Sequence, residues 1–273
     1  MNFYDLPKRQ VKLIKSLRDS RNSRRNNKLF FVEGSRSVCE AVESDYDLDF
    51  IVVSDGFLHR YNGFFNKLVA KLNSGIRVYK TSKEIYESLS DTVSPQGILA
   101  VVKIKSYQIE DIPERDFLVV ALDRIKDPGN MGTIIRTADA AGASAIVTNK
   151  GCVDIFNPKV IRSTMGSIFH LPFVEVEDLT GTLMCLKRRG GRVVATHLKA
   201  ERCYYDVDYT KPMILVMGKE DEGVSREILE ISDEVIKIPM PGKAESLNVS
   251  VANGIVLFEA VKQRLRAHPF ACK

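Results

Sequence analysis

The second half of this chain alternates almost entirely apolar segments with segments of helical periodicity, and this alternation constrains the fold more than any other feature. The apolar segments predict strands at 117–122, 145–147, 192–195, 213–217 and 234–238. Strands that are apolar along their whole length are buried on both faces, which is typical of a parallel sheet covered by helices. We therefore predict an α/β domain that ends in a long helix over about 249–266.

The first hundred residues show the same alternation on a smaller scale. The predicted helices lie at 5–27, 35–42, 61–72 and 83–89. The predicted strands lie at 29–34, 50–53, 77–79 and 97–102. A polar stretch with a proline, 107–116, is typical of a linker. We therefore predict a small α/β domain over 1–106, the linker over 107–116, and a second domain over 117–273.

Composition excludes several classes of protein. With 273 residues, of which 44% are hydrophobic and 27% charged, the chain is typical of a soluble globular protein. It has no apolar run near the 18 or so residues of a membrane span and no secretory leader, so we expect no membrane and a cytoplasmic location. The scattered cysteines form no C-x-x-C pair and predict free thiols: Cys39, Cys152, Cys185, Cys203 and Cys272. The four histidines are also dispersed, so we expect no metal site.

Positive charge is concentrated near the N-terminus. Between Lys8 and Arg36 the chain carries ten basic residues and only two acidic ones, Asp19 and Glu33, against a net charge of +5 overall. Such a stripe favours a partner with a phosphate backbone. The alternative is an ordinary solvated helix face followed by a basic turn.

Three later segments carry polar side chains where plain core elements would not. Residues 238–250 place Ser246, Asn248 and Ser250 in an apolar run that leads into the last helix, so they hold either local backbone or a ligand. Residues 122–136 read as a strand, a Pro-Gly turn and a helix start, with Asn130 expected at the N-cap and Arg136 one turn and a half further on. A cap and a surface charge are the plain alternatives.

The third segment, 215–225, is a buried strand that leads into Gly-x-Glu-x-x-Gly. Gly218 allows close approach of a ligand to the backbone, and Glu220 follows the carboxyl end of a parallel strand, where ligands bind in such sheets. The alternative for Glu220 is a carboxylate favoured by a helix dipole. A weaker signal at 156–167 offers Lys159 and Arg162.

Together these segments resemble the three motifs of the SpoU (TrmH-type) RNA 2′-O-ribose methyltransferases of the SPOUT superfamily. The resemblance covers about 117–266, with the motifs at 127–136, 218–223 and 238–250 in the family's order. The first hundred residues resemble, more loosely, the L30e-like substrate-binding domain of many such enzymes. That match depends on Phe31-Val32-Glu33-Gly34 and on the strand order.

The resemblance implies a C-terminal SPOUT domain with a parallel sheet and a deep trefoil knot, after an L30e-like α/β domain. It implies S-adenosylmethionine as the cofactor and a homodimer whose active site is completed across the interface. The positions that match the cofactor pocket are Thr196, Gly218, Ile238, Met240 and Leu247.

The resemblance also assigns the catalytic positions. Arg136 is implied to lie closest to the ribose hydroxyl, as a clamp on phosphate in preference to a base, since arginine stays protonated in proteins. Asn130, Glu220, Ser246 and Asn248 are implied to frame it, with Glu220 pairing with Arg136. Glu222 departs from the family, where a small or basic residue is more usual.

We therefore expect an S-adenosylmethionine-dependent RNA 2′-O-ribose methyltransferase of 23S rRNA, with structured RNA as its partner. The alternatives are a tRNA 2′-O-methyltransferase, a non-catalytic RNA-binding ribosome-assembly factor, and a SPOUT enzyme that methylates a base. The predicted RNA-binding residues are Arg9, Arg21, Arg24, Arg25, Lys28, Arg36 and Arg162.

Overall fold

The computed structural model describes residues 3–72 and 75–267, so Cys272 lies outside the described part. The chain divides into two compact units, which are described separately below. Unit 1 comprises the residues up to 105 together with 154–170, and unit 2 comprises 106–153 and the residues from 171 onward. The segment 154–170 therefore packs with the first unit, whereas the sequence prediction had placed it within 117–273.

The elements follow the chain in this order. Those before residue 105 are β1 Phe3–Asp5, α1 Lys8–Asp19, α2 Arg21–Asn27, β2 Leu29–Glu33, α3 Ser35–Glu43, β3 Leu48–Ser54, α4 Asp55–Ala70, β4 Arg77–Thr81, α5 Lys83–Leu89 and β5 Ile98–Lys103. Those after it are β6 Leu118–Asp123, α6 Pro128–Ala140, β7 Ala145–Asn149, α7 Pro158–Thr164, β8 Phe173–Val176, α8 Leu179–Arg188, β9 Arg192–Thr196, β10 Arg202–Cys203, β11 Met213–Gly218, α9 Arg226–Ile231, β12 Glu234–Lys237 and α10 Val249–Ala267.

Unit 1 is a five-stranded mixed sheet in the order β1-β4-β3-β5-β2. Strands β1, β3 and β4 run parallel, and β5 is antiparallel to both β3 and β2. Helix α1 buries Ile14 and Leu17 against Phe31 and Val101 of the sheet. The basic segment is two helices and not the single helix predicted over 5–27, because Ser20 is extended and its side chain caps α2 by accepting a hydrogen bond from Ser23 N at 3.2 Å.

The segment 154–170 belongs to unit 1 through aromatic packing. Phe156 lies 4.8 Å from Phe30, measured between ring centroids, and Phe169 lies 5.2 Å from Tyr46. Large aromatic side chains dominate the energetics of such contacts. The α/β pattern of the sequence is continuous through this segment, so it does not indicate that 154–170 packs on the sheet of unit 1.

Unit 2 is a seven-stranded sheet in the order β10-β12-β9-β11-β6-β7-β8 in which every pairing is parallel. The predicted parallel sheet is confirmed, while the short strands β8 and β10 were not predicted. Within the predicted linker 107–116, Ile112 is buried in the core of this unit, and Arg189 donates hydrogen bonds to the carbonyls of Ile109 and Ile112.

Candidate active site

A cavity of about 440 Å³ opens at the carboxyl end of the sheet in unit 2. Its walls come from the segments that follow β9 and β11 and from the chain between β12 and the start of α10. All five residues expected to hold the cofactor line it: Thr196, Gly218, Ile238, Met240 and Leu247. Glu220 and Ser246 also line this cavity, which brings residues from the second and third motifs to one place.

Gly218 is required at its position for a reason that the sequence did not indicate. A Cβ added there would fall on backbone atoms of Gly223 and Val224, well inside van der Waals contact. The chain folds back on itself at this point, because Gly223 N donates a hydrogen bond to the carbonyl of Lys219 at 2.8 Å. The absence of a side chain at Gly218 therefore makes room primarily for the protein's own backbone at Gly223 and Val224, and only secondarily for a ligand.

Asn130 is not the N-cap of α6, as the sequence had suggested. The cap is Asp127, whose Oδ1 accepts a hydrogen bond from Asn130 N at 2.8 Å, and Pro128 follows it at the first helical position. This arrangement satisfies an otherwise unpaired backbone donor of the first turn. The side chain of Asn130 is therefore available for other contacts.

Those contacts join the three motifs. Asn130 Nδ2 donates to Glu220 Oε1 at 3.0 Å, and Asn130 Oδ1 accepts from Asn248 Nδ2 at 2.9 Å. Asn248 Oδ1 in turn accepts from the Ser250 hydroxyl at 2.6 Å and from Ser250 N at 2.9 Å, which caps α10. The four side chains form one continuous chain of hydrogen bonds beside the cavity.

Arg136 takes no part in this series of hydrogen bonds. It is exposed on α6, it does not line the cavity, and within residues 3–72 and 75–267 its guanidinium has no hydrogen bond or ion pair. The expected pair between Glu220 and Arg136 is thus not formed, because Glu220 Oε1 is taken by Asn130 and by the backbone N of Asp127 at 3.3 Å.

Several cavity residues were missed by the sequence analysis. His197 and Lys199 line the cavity directly after β9, and His197 Nδ1 accepts a hydrogen bond from Lys199 N at 3.2 Å. Met217, the last residue before Gly218, contributes apolar surface. The signal that could have found them is position, since both segments lie at the carboxyl ends of neighbouring parallel strands.

The residues predicted to bind RNA all lie in unit 1 and fall into different environments. The exposed ones are Arg9, Arg25, Lys28 and Arg36, whereas Arg21 is half-buried. Lys28 precedes β2 and Arg36 follows it, so these two lie near opposite ends of that strand. Arg162 forms an ion pair with Asp91 and remains partly exposed.

Arg24, which the sequence predicted to bind RNA, is buried inside unit 1. Only 3% of the residue is exposed, and its guanidinium pairs with Asp154 at 2.7 Å and donates to the carbonyl of Leu17. A buried, fully paired guanidinium holds the unit together and is not offered to a phosphate. Local sequence patterns do not indicate this burial, because the partner of Arg24 lies 130 residues away.

Two further observations concern the described residues alone. None of their His, Cys, Asp and Glu side chains form a group of three or more that could hold a metal ion. None of their helices is long and apolar enough to cross a membrane.

Comparison with known proteins matches both parts of the chain to family models. Residues 117–258 match the SpoU rRNA methylase family, and residues 8–100 match an MRM3-like substrate-binding domain. The 23S rRNA (guanosine(2553)-2′-O)-methyltransferase RlmP of Bacillus subtilis is 34% identical over 249 residues, which cover 91% of this chain and 94% of that protein. The 23S rRNA (guanosine-2′-O-)-methyltransferase RlmB of Ralstonia nicotianae is 38% identical over 70% of this chain and 79% of its own length.

Solved structures resemble the chain over nearly its whole length. The SpoU methyltransferase AviRb of Streptomyces viridochromogenes, in complex with the cofactor AdoMet, matches with a TM-score of 0.85 and 30% identity over 95% of this chain and 99% of that one. An AdoMet-bound rRNA methyltransferase of Sinorhizobium meliloti matches with a TM-score of 0.83 and 32% identity, covering 96% and 97% of the two chains.

Proposed function

Because this chain belongs to the SpoU rRNA methylase family, we propose that it is an S-adenosylmethionine-dependent methyltransferase that modifies a ribose 2′-hydroxyl in 23S rRNA. The observation that carries the proposal is the chain of hydrogen bonds from Glu220 through Asn130 to Asn248 beside the cavity. The names of the relatives RlmP and RlmB support 23S rRNA as the substrate. A ribosomal RNA substrate also supports the cytoplasm as the place of action.

The cavity fits the cofactor. Its volume of about 440 Å³ lies in the usual range for a small-molecule site. Met217, Ile238 and Leu247 offer apolar surface to a flat base, and Glu220 and Glu245 offer negative charge to a cationic group. S-adenosylmethionine, when bound, supplies an electrophilic methyl group on a positively charged sulfonium.

The chain's own residues orient the ribose and accept its proton. Glu220 Oε1 is fixed by Asn130 and by Asp127 N, which leaves Glu220 Oε2 to accept a hydrogen bond from the attacking hydroxyl. Ser246 lines the cavity and adds a hydroxyl that can contact the substrate. Holding oxygen in line with the methyl group is the main contribution that such a frame makes to the rate.

We further propose that Arg136 acts in the site of a second copy of the chain. Arg136 is exposed and does not line the cavity of its own chain. Helix α6, which carries it, packs against α10, where Gly254 faces Thr137. The outer face of α10 is apolar, with Val251 50% and Phe258 49% exposed, and such a face suits a homodimer interface.

The finer features of the fold are also proposals. The match of this domain to the SpoU family supports the deep trefoil knot that the resemblance implies for this part of the chain. The match to a substrate-binding domain at residues 8–100 supports an L30e-like RNA-binding role for 1–106, with catalysis in 117–273. Exposed Arg9, Arg25, Lys28 and Arg36 then contact the phosphates of structured RNA, chiefly through shape and charge.

The reaction is tested by incubating the protein with labelled S-adenosylmethionine and either ribosomal RNA or tRNA, followed by nucleoside analysis. A 2′-O-methylnucleoside in 23S rRNA is expected. Label in tRNA alone would mean that tRNA, and not 23S rRNA, is the substrate. Label on a base would mean that the protein is a base methyltransferase of the SPOUT superfamily. Cofactor binding without transfer to rRNA, tRNA or immature ribosomal particles would favour a non-catalytic assembly factor.

The dimer is tested by mixing two inactive variants, Arg136→Ala and Asn130→Ala. If Arg136 serves the partner's site, a mixed dimer contains one complete site and regains activity. If Arg136 serves its own chain, every site in the mixture lacks one residue and activity stays absent. Sedimentation of the two variants checks that both assemble as the unaltered protein does.

A further inference from the structure

The loop after β11, residues 218–223, lines the cavity and is held from outside by Arg124. This arginine directly follows β6 and does not line the cavity itself. Its Nη1 donates to Glu222 Oε2 at 2.6 Å, and its Nη2 donates to the carbonyl of Gly223 at 3.4 Å. One guanidinium thus contacts two consecutive residues of a cavity wall.

Arg124 is itself anchored by a buried carboxylate. Asp123, only 2% exposed, accepts hydrogen bonds from Arg124 Nε at 3.1 Å and Nη2 at 3.3 Å. The same carboxylate accepts from Asn149 Nδ2 at 2.9 Å and from Ser225 N at 2.9 Å. Because Asp123 already fixes the guanidinium, its contact with Glu222 costs less side-chain entropy than an ordinary surface pair does.

The backbone at this position also carries a cost that a plain surface arginine would not. Arg124 has φ +62°, a left-handed conformation that favours glycine. Its side chain passes over Gly151, where an added Cβ would lie 2.7 Å from Arg124 Cγ. Strained positions of this kind persist where the surrounding structure holds them and are concentrated at functional sites.

We propose that Arg124 is a positioning residue for the cofactor, which acts through Glu222 and Gly223 to keep the 218–223 loop in the shape that binds S-adenosylmethionine. The inference rests on the proposed function. It accounts for the unusual acid in the second motif, because Glu222 is the partner that Arg124 requires. Lys219 contributes from the other side, with its Nζ 2.6 Å from Glu222 Oε1.

The main test is Arg124→Gly, because glycine accepts the positive φ and removes only the side chain. The dissociation constant for S-adenosylmethionine, measured by calorimetry, is expected to rise about fivefold, as for the loss of a strong ion pair. The KM for the cofactor should rise in parallel while kcat at saturation stays close to that of the unaltered protein. The melting temperature should fall, because buried Asp123 loses its cationic partner, so binding is measured well below that temperature. Arg226→Ala, at an exposed arginine of the same unit, is the matched control and should change nothing.

Gly151→Ala gives an independent perturbation of the same contact. The added methyl group displaces Arg124, so it should weaken cofactor binding in the unaltered protein and have no further effect in Arg124→Gly. Glu222→Gln should likewise weaken binding, and combining it with Arg124→Gly should add little, because both changes remove one contact.

Each other outcome overturns the proposal in a recognisable way. Unchanged affinity in Arg124→Gly refutes it. Weak binding in Glu222→Gln alone, with normal binding in Arg124→Gly, means that Glu222 touches the ligand directly and needs no positioning. If the unaltered protein binds no S-adenosylmethionine, the proposed function fails and this inference fails with it.

Discussion

Asn248 donates a hydrogen bond to Asn130 across 118 residues of chain, with 2.9 Å between Asn248 Nδ2 and Asn130 Oδ1. This contact ties the residue that caps α10 to the first turn of α6. The same Asn130 amide donates to Glu220, so two hydrogen bonds join all three motifs. Each asparagine uses both ends of its amide, and neither can be replaced by a carboxylate without losing a donor.

Replacing Asn130 with alanine should abolish most of the activity with little loss of stability. The change removes the donor that fixes Glu220 and the acceptor for Asn248, and misplacement of reacting groups costs at least about 100-fold in kcat. Single-turnover methyl transfer measures the effect. Thr133→Ala on the same helix is the control. If kcat in Asn130→Ala stays near that of the unaltered protein, the hydrogen bonds of Asn130 do not position Glu220 for catalysis.

Gly218→Ala should damage the cavity, whereas Gly242→Ala should be silent. A Cβ at Gly218 falls on the backbone of Gly223 and Val224, while a Cβ at Gly242 meets nothing within 4 Å. We expect Gly218→Ala to lower the free energy of unfolding by about 1–3 kcal/mol, as overpacking does, and to abolish cofactor binding. Urea denaturation measures the free energy of unfolding, and calorimetry measures cofactor binding. Equal behaviour of the two variants would mean that the backbone of Gly223 and Val224 does not approach Gly218 closely.

Arg24→Ala should destabilise unit 1, contrary to an RNA-binding role. Its side chain is 4% exposed and that of Asp154 is 12% exposed, so the substitution leaves a nearly buried carboxylate without its partner. The expected loss in the free energy of unfolding is about 3 kcal/mol. Chemical denaturation followed by circular dichroism measures it. Restored stability in the double variant with Asp154→Asn would confirm that the unpaired carboxylate is the cause. An unchanged free energy of unfolding in Arg24→Ala would exclude it.

Lys28→Asn and Arg36→Ala should weaken RNA binding and flatten its salt dependence. Asparagine tolerates the φ of +53° at Lys28, so only the charge is lost. Each phosphate contact removed lowers the slope of log K against log salt by about 0.7–0.9. Filter binding across salt concentrations measures the slope, with Lys83→Ala as the control at an exposed lysine of the same unit. If only one variant changes the slope, RNA lies at one end of β2 alone.

Stability should fall in alkali because of Tyr209. Burial raises the pKa of this phenol above its ordinary value, and its hydroxyl donates to the carbonyl of Tyr204 at 2.6 Å. Above about pH 10 the unfolded state releases the proton while the native state retains it, so the free energy of unfolding falls as pH rises, by at most about 1.4 kcal/mol per pH unit. Urea titrations between pH 8 and 11 should show a shallower fall for Tyr209→Phe. Equal slopes would exclude Tyr209 as the source.

The sequence predicted the parts of the fold that depend on local pattern. The parallel sheet and α10 follow from continuous apolar strands and from the spacing of apolar residues, and the boundary of α10 was placed within one residue. The break between α1 and α2 was missed because a single serine that caps a helix looks like any other polar residue on a basic face. The short strands β8 and β10 carry too few residues for a periodic signal.

The site shows the same division. Glu220, Asn130 and Asn248 were identified by motif, and the cavity brings the predicted cofactor residues together. Their partners were not predictable, since the Glu220–Asn130 bond replaces the expected pair with Arg136 and depends on side-chain geometry. The role of Arg24 was equally hidden, because burial depends on a partner that is distant in sequence.

The division of unit 1 between residues up to 105 and 154–170 has a consequence for synthesis of the chain. A nascent chain released residue by residue completes most N-terminal domains before the next one begins. Here the faces of Phe30 and Tyr46 stay uncovered until residue 170 has emerged, by which time β6, α6 and β7 are already outside the ribosome. The first unit is therefore finished only after part of the second has emerged, and a fragment that stops at residue 106 is an unfinished domain.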